Sequence, residues 1–202
     1  MAPFSRTPLL VAAALLLAHA PHPARGFLGG LGVTQECPTD ATVEGFECGF
    51  APIETLTLAW NPATPDAEGK YVTSMYASTA SSAWVSVAWS ETGAMVPALA
   101  AVGVAGSEPA LHALKAKSTN AILGAVVAPD TPPPSYAPAI SNIAFVQNNG
   151  TSTLTFTATS EGAIPEKVIF AHGTSDSFGY HGFFNRGSAT INFNATATKA
   201  DP

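Results

Sequence analysis

The chain has 202 residues, of which 47% are hydrophobic and only 11% are charged, against about 25% charged residues in typical soluble domains. This composition excludes a coiled coil and a disordered charged tail, because both need many charged side chains. Eight basic and fourteen acidic residues give a net charge of −6. Since no basic run offers a footprint for a phosphate backbone, nucleic-acid binding is not predicted.

The N-terminus predicts a secretory signal peptide over residues 1–26. A short segment with one basic residue, Arg6, precedes an apolar run over residues 8–18, and small residues with proline follow, which is the three-part pattern of such signals. The triplet Ala24-Arg25-Gly26 predicts cleavage ahead of Phe27, with a retained anchor or an organellar presequence as the alternative. The run is short for a membrane span, so we expect a secreted, extracellular protein.

Cysteines and glycosylation signals fit a secreted domain. The two cysteines, Cys37 and Cys48, are predicted to pair, because an oxidising compartment allows a loop of this length to close as a disulfide. A metal site is the weaker alternative, since the acidic residues between them do not form a recognised zinc spacing. The Asn-x-Thr tripeptides at Asn149 and Asn194 predict N-glycosylated surface loops.

After the signal, the hydrophobic pattern has a period of two residues, as half-buried strands require. The alternation is clearest over residues 55–60, 84–89 and 153–158, where threonine and aromatic residues are enriched. Further strands are predicted at residues 71–77, 98–104, 121–127, 140–146, 167–171 and 189–194. Many short strands separated by turn residues predict an antiparallel sandwich or a barrel.

Two stretches depart from this pattern. The alanine-rich segment 95–104 is compatible with a helix, and Leu111 and Leu114 in segment 107–118 are three residues apart, which leaves a short helix there as an alternative. Residues 129–138 contain five prolines and are predicted to form an extended loop. We expect one domain in all. Its predicted parts are the N-terminal segment 27–36, the β-domain 37–196 and the tail 197–202.

The sequence gives little support for hydrolytic catalysis. It contains no Gly-x-Ser-x-Gly elbow and no phosphate-binding glycine loop. Three histidines remain after the signal, His112, His172 and His181, and no two of them have zinc-site spacing. Met75 lies within a strand pattern and is predicted to be core, whereas Met95 follows a tryptophan-rich strand. Taken alone, a methionine in a loop is also most simply a packing residue.

Two segments resemble the DOMON family. The first runs from Trp84 through Met95 (WVSVAWSETGAM), and the second combines residues 168–173 (VIFAHG), Tyr180-His181-Gly182 and residues 186–193 (RGSATINF). That family is an immunoglobulin-like β-sandwich, and it includes the haem-binding cytochrome domain of cellobiose dehydrogenase and apoplastic b-type cytochromes of plants. The resemblance covers nearly all of the chain after the signal, and it implies an immunoglobulin-like antiparallel β-sandwich.

The resemblance also implies a cofactor and its ligands. In the haem-binding members, a methionine and a histidine from distant loops are the axial ligands of haem b, and these fall on Met95 and His181 of this chain. His172, at a strand end before glycine, is a rival that fits the pattern less well. A Met/His pair raises the reduction potential relative to two histidines, and six-coordinate iron favours electron transfer over oxygen activation. The resemblance thus implies an electron-transfer or ligand-binding module more than an enzyme with its own turnover.

Further residues follow from the same resemblance. Six aromatic residues become candidates for the walls of the haem pocket: Trp84, Trp89, Phe178, Tyr180, Phe183 and Phe184. Aromatic residues at strand spacing are also common in ordinary cores. Arg186 is a candidate partner for a haem propionate, with a solvent-exposed turn residue as the alternative. The implied partners are an electron donor, such as ascorbate, superoxide or a flavoprotein, and an acceptor, a membrane cytochrome among them. The competing hypothesis is a carbohydrate-binding or adhesion β-sandwich without haem.

Overall fold

The structure, a computed structural model, describes residues 34–80, 83–118, 121–128, 131–174, 178 and 185–196. Thirteen strands lie in these ranges, and no helix does. The strands are β1 (Thr34–Gln35), β2 (Cys48–Ile53), β3 (Leu56–Trp60), β4 (Thr64–Pro65), β5 (Tyr71–Ala80), β6 (Trp84–Ser90), β7 (Ala98–Val104), β8 (Ala110–Ser118), β9 (Ala121–Val126), β10 (Ala139–Asn148), β11 (Thr151–Ser160), β12 (Lys167–Gly173) and β13 (Arg186–Ile191).

The strands form two sheets that pack face to face. The seven-stranded sheet has the order β1-β13-β12-β6-β7-β8-β9, and the second sheet has the order β10-β11-β5-β3-β2, with β4 paired to β5. Every strand pair is antiparallel except β1 with β13, which is parallel. The predicted immunoglobulin-like antiparallel β-sandwich is therefore confirmed.

The main core lies between the two sheets, and strand alternation builds it. On β11, Leu154 and Phe156 are buried in this core, while Thr155 between them points outward. On β6, Val87 and Trp89 point inward in the same way. The Trp89 indole meets the ring of Phe156 edge-on at 5.9 Å, and its Nε1 donates a hydrogen bond of 2.7 Å to the carbonyl of Pro165. Large aromatic side chains thus fill the space between the sheets.

The N-terminal segment connects the two sheets along one side of the sandwich. Cys37 follows β1 at the edge of the seven-stranded sheet, and Cys48 begins β2 at the edge of the other sheet. The two cysteines form a disulfide, as predicted. Asn192 reinforces this connection, because its backbone N–H donates to Gln35 and its carboxamide donates to Glu36 Oε2 at 2.7 Å.

Candidate functional site

The seven-stranded sheet has a second apolar surface, on the side away from the main core. Ile169, Ala88 and Ala100 are register partners on β12, β6 and β7, and His112 of β8 is the next partner in this row. Since successive side chains of a strand point to opposite sides of the sheet, the side chains of this row point away from those of Val87 and Trp89. The cluster on this side is called here the outer apolar face, and it comprises Ala88, Ala98, Ala100, Val102, Leu114 and Ile169.

The composition of the outer apolar face is unusual for an antiparallel sheet. Such a sheet commonly has one face on the core and one polar face in water, yet here Ala88, Ala98 and Ala100 are almost fully buried. Val96, Val104 and Phe178 pack against them. Alanine side chains on adjacent central strands give a flat surface of low relief. Such a surface suits a planar apolar ligand, because ligand sites are mostly apolar with a few placed polar groups.

Aromatic side chains border one end of this face. Phe178 lies between Trp84, at a ring distance of 5.1 Å, and His112, at 5.0 Å. Trp84 is fully buried, and its indole lies over Gly173, its register partner on β12. A Cβ atom at Gly173 would collide with Nε1 and Cε2 of the indole. Glycine is therefore required at this position for Trp84 to lie flat against the sheet.

The loop between β6 and β7 carries Met95 and is held by short-range hydrogen bonds. Ser90 Oγ accepts a bond of 3.1 Å from the N–H of Gly93 and donates to the carbonyl of Ala94. Gly93 has a φ of 82°, which glycine adopts without steric cost. Lys167 Nζ donates to the carbonyl of Glu91 at 3.0 Å. These contacts fix the backbone on both sides of the turn and leave Met95 half-buried.

Met95 meets Arg186, which is 91 residues away in the chain. The Nη1 atom of Arg186 lies 3.6 Å from the Met95 Sδ atom and donates to this weak acceptor. Arg186 begins β13 and pairs with Ala171 of β12, so its side chain belongs to the outer side of the sheet. The structure thus brings together two of the residues that the family resemblance singled out.

His172 lies on the other side of the same sheet. It follows Val168 and Phe170 at two-residue intervals and so points toward the second sheet. Its Nε2 shares a hydrogen bond of 2.8 Å with Thr55 Oγ1, in the turn between β2 and β3, and it is buried. The geometry gives His172 a structural contact between the sheets, away from Met95.

Of the remaining predicted site residues, the structure describes some and not others. Tyr180, His181, Phe183 and Phe184 lie outside the described residues. Phe178 and Arg186, which flank that segment, both lie on the outer side of the sheet. The prediction of Trp89 as a wall residue was wrong, because strand alternation points it into the main core. Asn149 lies exposed in the turn between β10 and β11, and Asn194 is exposed after β13. The sequence did not predict that His112 lies beside this face. The signal that could have shown it is the run of alanines on the neighbouring strand, which is atypical of a face in contact with water.

The titratable groups near this region are few. Burial raises the pKa of the Tyr136 phenol, and the negative charge of Glu91 in the Met95 loop raises the pKa further. Tyr136 therefore stays neutral and packs against the main core.

Within the described ranges, no three His, Cys, Asp or Glu side chains converge on a common point. Nor does that part of the chain contain a helix long and apolar enough to cross a membrane.

A comparison with solved structures finds proteins whose structures are similar to that of this chain. One similar structure is the cytochrome domain of Myriococcum thermophilum cellobiose dehydrogenase, with a TM-score of 0.43 and 12% identity over 74% of this chain and 83% of that one. Another is the cytochrome b domain of pyranose dehydrogenase from Coprinopsis cinerea, with a TM-score of 0.40 and 11% identity over 69% and 77% of the two chains.

The other two comparisons found nothing. No protein-family model matches the chain, and no curated protein matches it.

Proposed function

We propose that this protein binds haem b on the outer apolar face and transfers single electrons. One observation carries the proposal. Phe178 packs against this face, and Arg186 on the same side of the sheet contacts Met95; Phe178 and Arg186 bracket His181 in the chain. We propose Met95 Sδ and an imidazole nitrogen of His181 as the two axial ligands.

The chemistry of the residues fits this cofactor. A thioether and a neutral imidazole are a known pair of ligands for low-spin haem, and a flat alanine surface accepts a planar macrocycle without steric conflict. Bound haem supplies a one-electron couple at its iron. The protein's own residues exclude water from one side through the outer apolar face, and Trp84, Tyr180 and Phe183 are proposed as aromatic walls.

Arg186 is the proposed partner of a haem propionate. Its exposed guanidinium provides a positive charge at the edge of an otherwise apolar surface, and a guanidinium matches a carboxylate in geometry and charge. The same group donates to Met95 Sδ. We propose that Arg186 both orients the Met95 side chain and receives the acidic edge of the cofactor.

The setting we propose is extracellular. The disulfide between Cys37 and Cys48 supports it, because such bonds persist in oxidising compartments. The exposed positions of Asn149 and Asn194 are compatible with the N-glycans proposed there. Electrons would come from a small-molecule donor such as ascorbate, or from a protein, and pass to a protein acceptor, with a membrane cytochrome as one candidate.

Absorption spectroscopy tests the proposed function. The full chain, expressed with haem available, should be red and show an α-band on reduction. Met95→Ala and His181→Ala should each remove this low-spin spectrum, because each leaves one axial position without its protein ligand.

Two conservative variants serve as controls for these ligands. Met75→Leu changes the methionine in the main core, and His172→Gln retains a group that can bond Thr55, so both should keep the spectrum of the parent protein. The proposal would be refuted if the protein purified after expression with haem showed no haem absorbance, or if the ligand variants titrated with haem as the parent does.

A further inference from the structure

The described strands leave four sheet edges, at β1, β2, β9 and β10. An exposed edge presents unpaired N–H and C=O groups to any further strand, and native proteins usually block it. β1 spans only two residues, and β10 is interrupted by a bulge between Ser141 and Ala144. β2 contains Pro52, and its free side is covered by the preceding segment, where Gly49 N–H donates to the carbonyl of Pro38 at 2.6 Å. Three of the four edges are thus blocked.

The fourth edge, β9, has none of these devices. Its sequence, AILGAV, contains no charged residue and no proline. Its pairing with β8 is regular from Ile122 to Val126, and no other strand of the described chain lies beside it. Val126 continues the row of Ala100 and His112 on the outer side of the sheet, yet its side chain is 69% exposed. An uncharged edge of six residues is therefore open to a further strand.

The hydrogen-bond pattern identifies the backbone groups of β9 that face the free side. Val127, directly after β9, donates its N–H to the carbonyl of Leu111 on β8 at 2.9 Å. In an antiparallel pair, the N–H and C=O of one residue point to the same neighbouring strand, and those of the next residue point away from it. Odd-numbered residues of β9 therefore bond to β8. The even-numbered residues direct both groups away from β8: Ile122, Gly124 and Val126.

These outward groups are symmetric about Gly124. A second copy of β9, antiparallel to the first and related by a two-fold axis at Gly124, has its Gly124 opposite Gly124 and its Ile122 opposite Val126. Each opposed pair exchanges two hydrogen bonds, so every outward N–H and C=O of both strands is satisfied. We propose that this protein forms a two-fold dimer through β9, in which the seven-stranded sheets of the two copies join into one continuous sheet.

Charge and closure favour a second copy as the occupant of this edge. Each copy carries a net charge of −6, but β9 brings no acidic side chain to the axis. Because the other edges are blocked, each copy offers one open edge, and the association closes at two copies. A single pair of short strands is smaller than a standard interface of about 800 Å² per partner, so we expect a weak dimer with a Kd of about 100 µM.

The two-fold axis has a consequence for the outer apolar face. An axis that relates neighbouring antiparallel strands is perpendicular to the sheet, so the outer sides of both copies face the same direction. The row that runs through Ala100, His112 and Val126 then continues into the second copy. The dimer itself does not require haem, because β9 pairs through backbone groups.

Sedimentation equilibrium of the full chain, with and without haem, tests the dimer between about 10 µM and 1 mM protein. We expect a monomer–dimer equilibrium without larger species. Added salt should strengthen the dimer, because it screens the repulsion between two negatively charged copies. Hydrogen exchange locates the interface. The amides of Ile122, Gly124 and Val126 should exchange about fourfold more slowly at 1 mM than at 10 µM, whereas Ala125, bonded to β8, should exchange equally at both.

Two exposed valines provide a matched pair of variants, since Val126 lies on the open edge and Val146 on the blocked edge of β10. Val126→Lys puts a hydrated charge beside Ile122 of the second copy and should weaken dimerisation at least tenfold. Val146→Lys changes the net charge equally and should dimerise as the parent does. Both positions are exposed, so both variants should fold.

Four results would overturn the proposal. The chain could stay monomeric at about 1 mM, or assemblies could grow beyond two copies. The two lysine variants could dimerise equally well, or the exchange of the Ile122, Gly124 and Val126 amides could be independent of protein concentration. Failure of haem loading would leave all these measurements unchanged.

Discussion

The two sides of the seven-stranded sheet differ in the size of their side chains. On β6, the inward residues Val87 and Trp89 fill the space beneath the second sheet. The outward residues Ser86 and Ala88 are small, and the large outward residue Trp84 lies at the end of the strand. Both sides are buried, so burial alone does not distinguish them. Large side chains interlock with a facing sheet, whereas small ones leave a plane. The packing assigns the inner side to stability, and the small side chains of the outer side are compatible with the cofactor proposed there.

The largest expected loss of stability comes from a substitution on the inner side of the sheet. Trp89→Ala removes ring contacts with Phe156 and Phe193 and the hydrogen bond to Pro165. We expect the free energy of unfolding to fall by about 3 to 5 kcal/mol, as for other buried aromatic truncations, measured by urea denaturation. Val146→Ala, at an exposed position, should change it by about 0.5 kcal/mol or less. Equal losses in the two variants would contradict the assignment of the inner core.

A matched pair of substitutions separates the two sides directly. Ala100 and Ala101 are neighbours on β7, both fully buried, with Ala100 on the outer apolar face and Ala101 in the main core. Ala100→Leu and Ala101→Leu should each cost about 1 to 3 kcal/mol of stability, because each puts a larger side chain at a fully buried position. Only Ala100→Leu should lower haem affinity, by about tenfold or more, in a spectroscopic titration. The proposed cofactor surface is wrong if both variants bind haem equally.

The smallest effect on stability is expected at the exposed edge of the outer side. Arg186→Gln removes a guanidinium that lies at the Met95 thioether, and the free energy of unfolding should change by about 0.5 kcal/mol or less. Haem affinity should fall about fivefold, and added salt should reduce this difference, because an exposed charge is screened. Lys115→Gln removes an exposed positive charge from β8. The same loss of affinity in this control would show that Arg186 acts only through net charge.

The same difference between the sides explains where the sequence predicted strands well. Residues 84–89 and 153–158 alternate clearly, and β6 and β11 contain them. β8 was harder to predict because both of its sides are apolar: Leu111 joins the main core and Leu114 joins the outer apolar face. Their spacing of three, which left a helix open, comes from opposite sides of one strand. The strand over Ala98–Val104 lacks alternation for the same reason, since both of its sides are buried.

Other differences have local causes. The last strand was predicted at residues 189–194 but spans Arg186–Ile191. β2 was not predicted, since it contains Pro52 and its pairing with β3 is irregular between Phe50 and Ile53. For the site, the meeting of Met95 with Arg186 depends on register between distant strands, which periodicity does not encode. Only the family resemblance pointed to these two residues together.

The disulfide between Cys37 and Cys48 has a consequence for motion within the sandwich. It joins the two sheets at the side where β1 and β2 form their edges, while β9 and β10 form the edges at the opposite side. A covalent link on one side restrains separation there, so the sheets can part more freely at the other. Separation of the sheets should therefore begin at the side of β9 and β10 and leave the disulfide side closed.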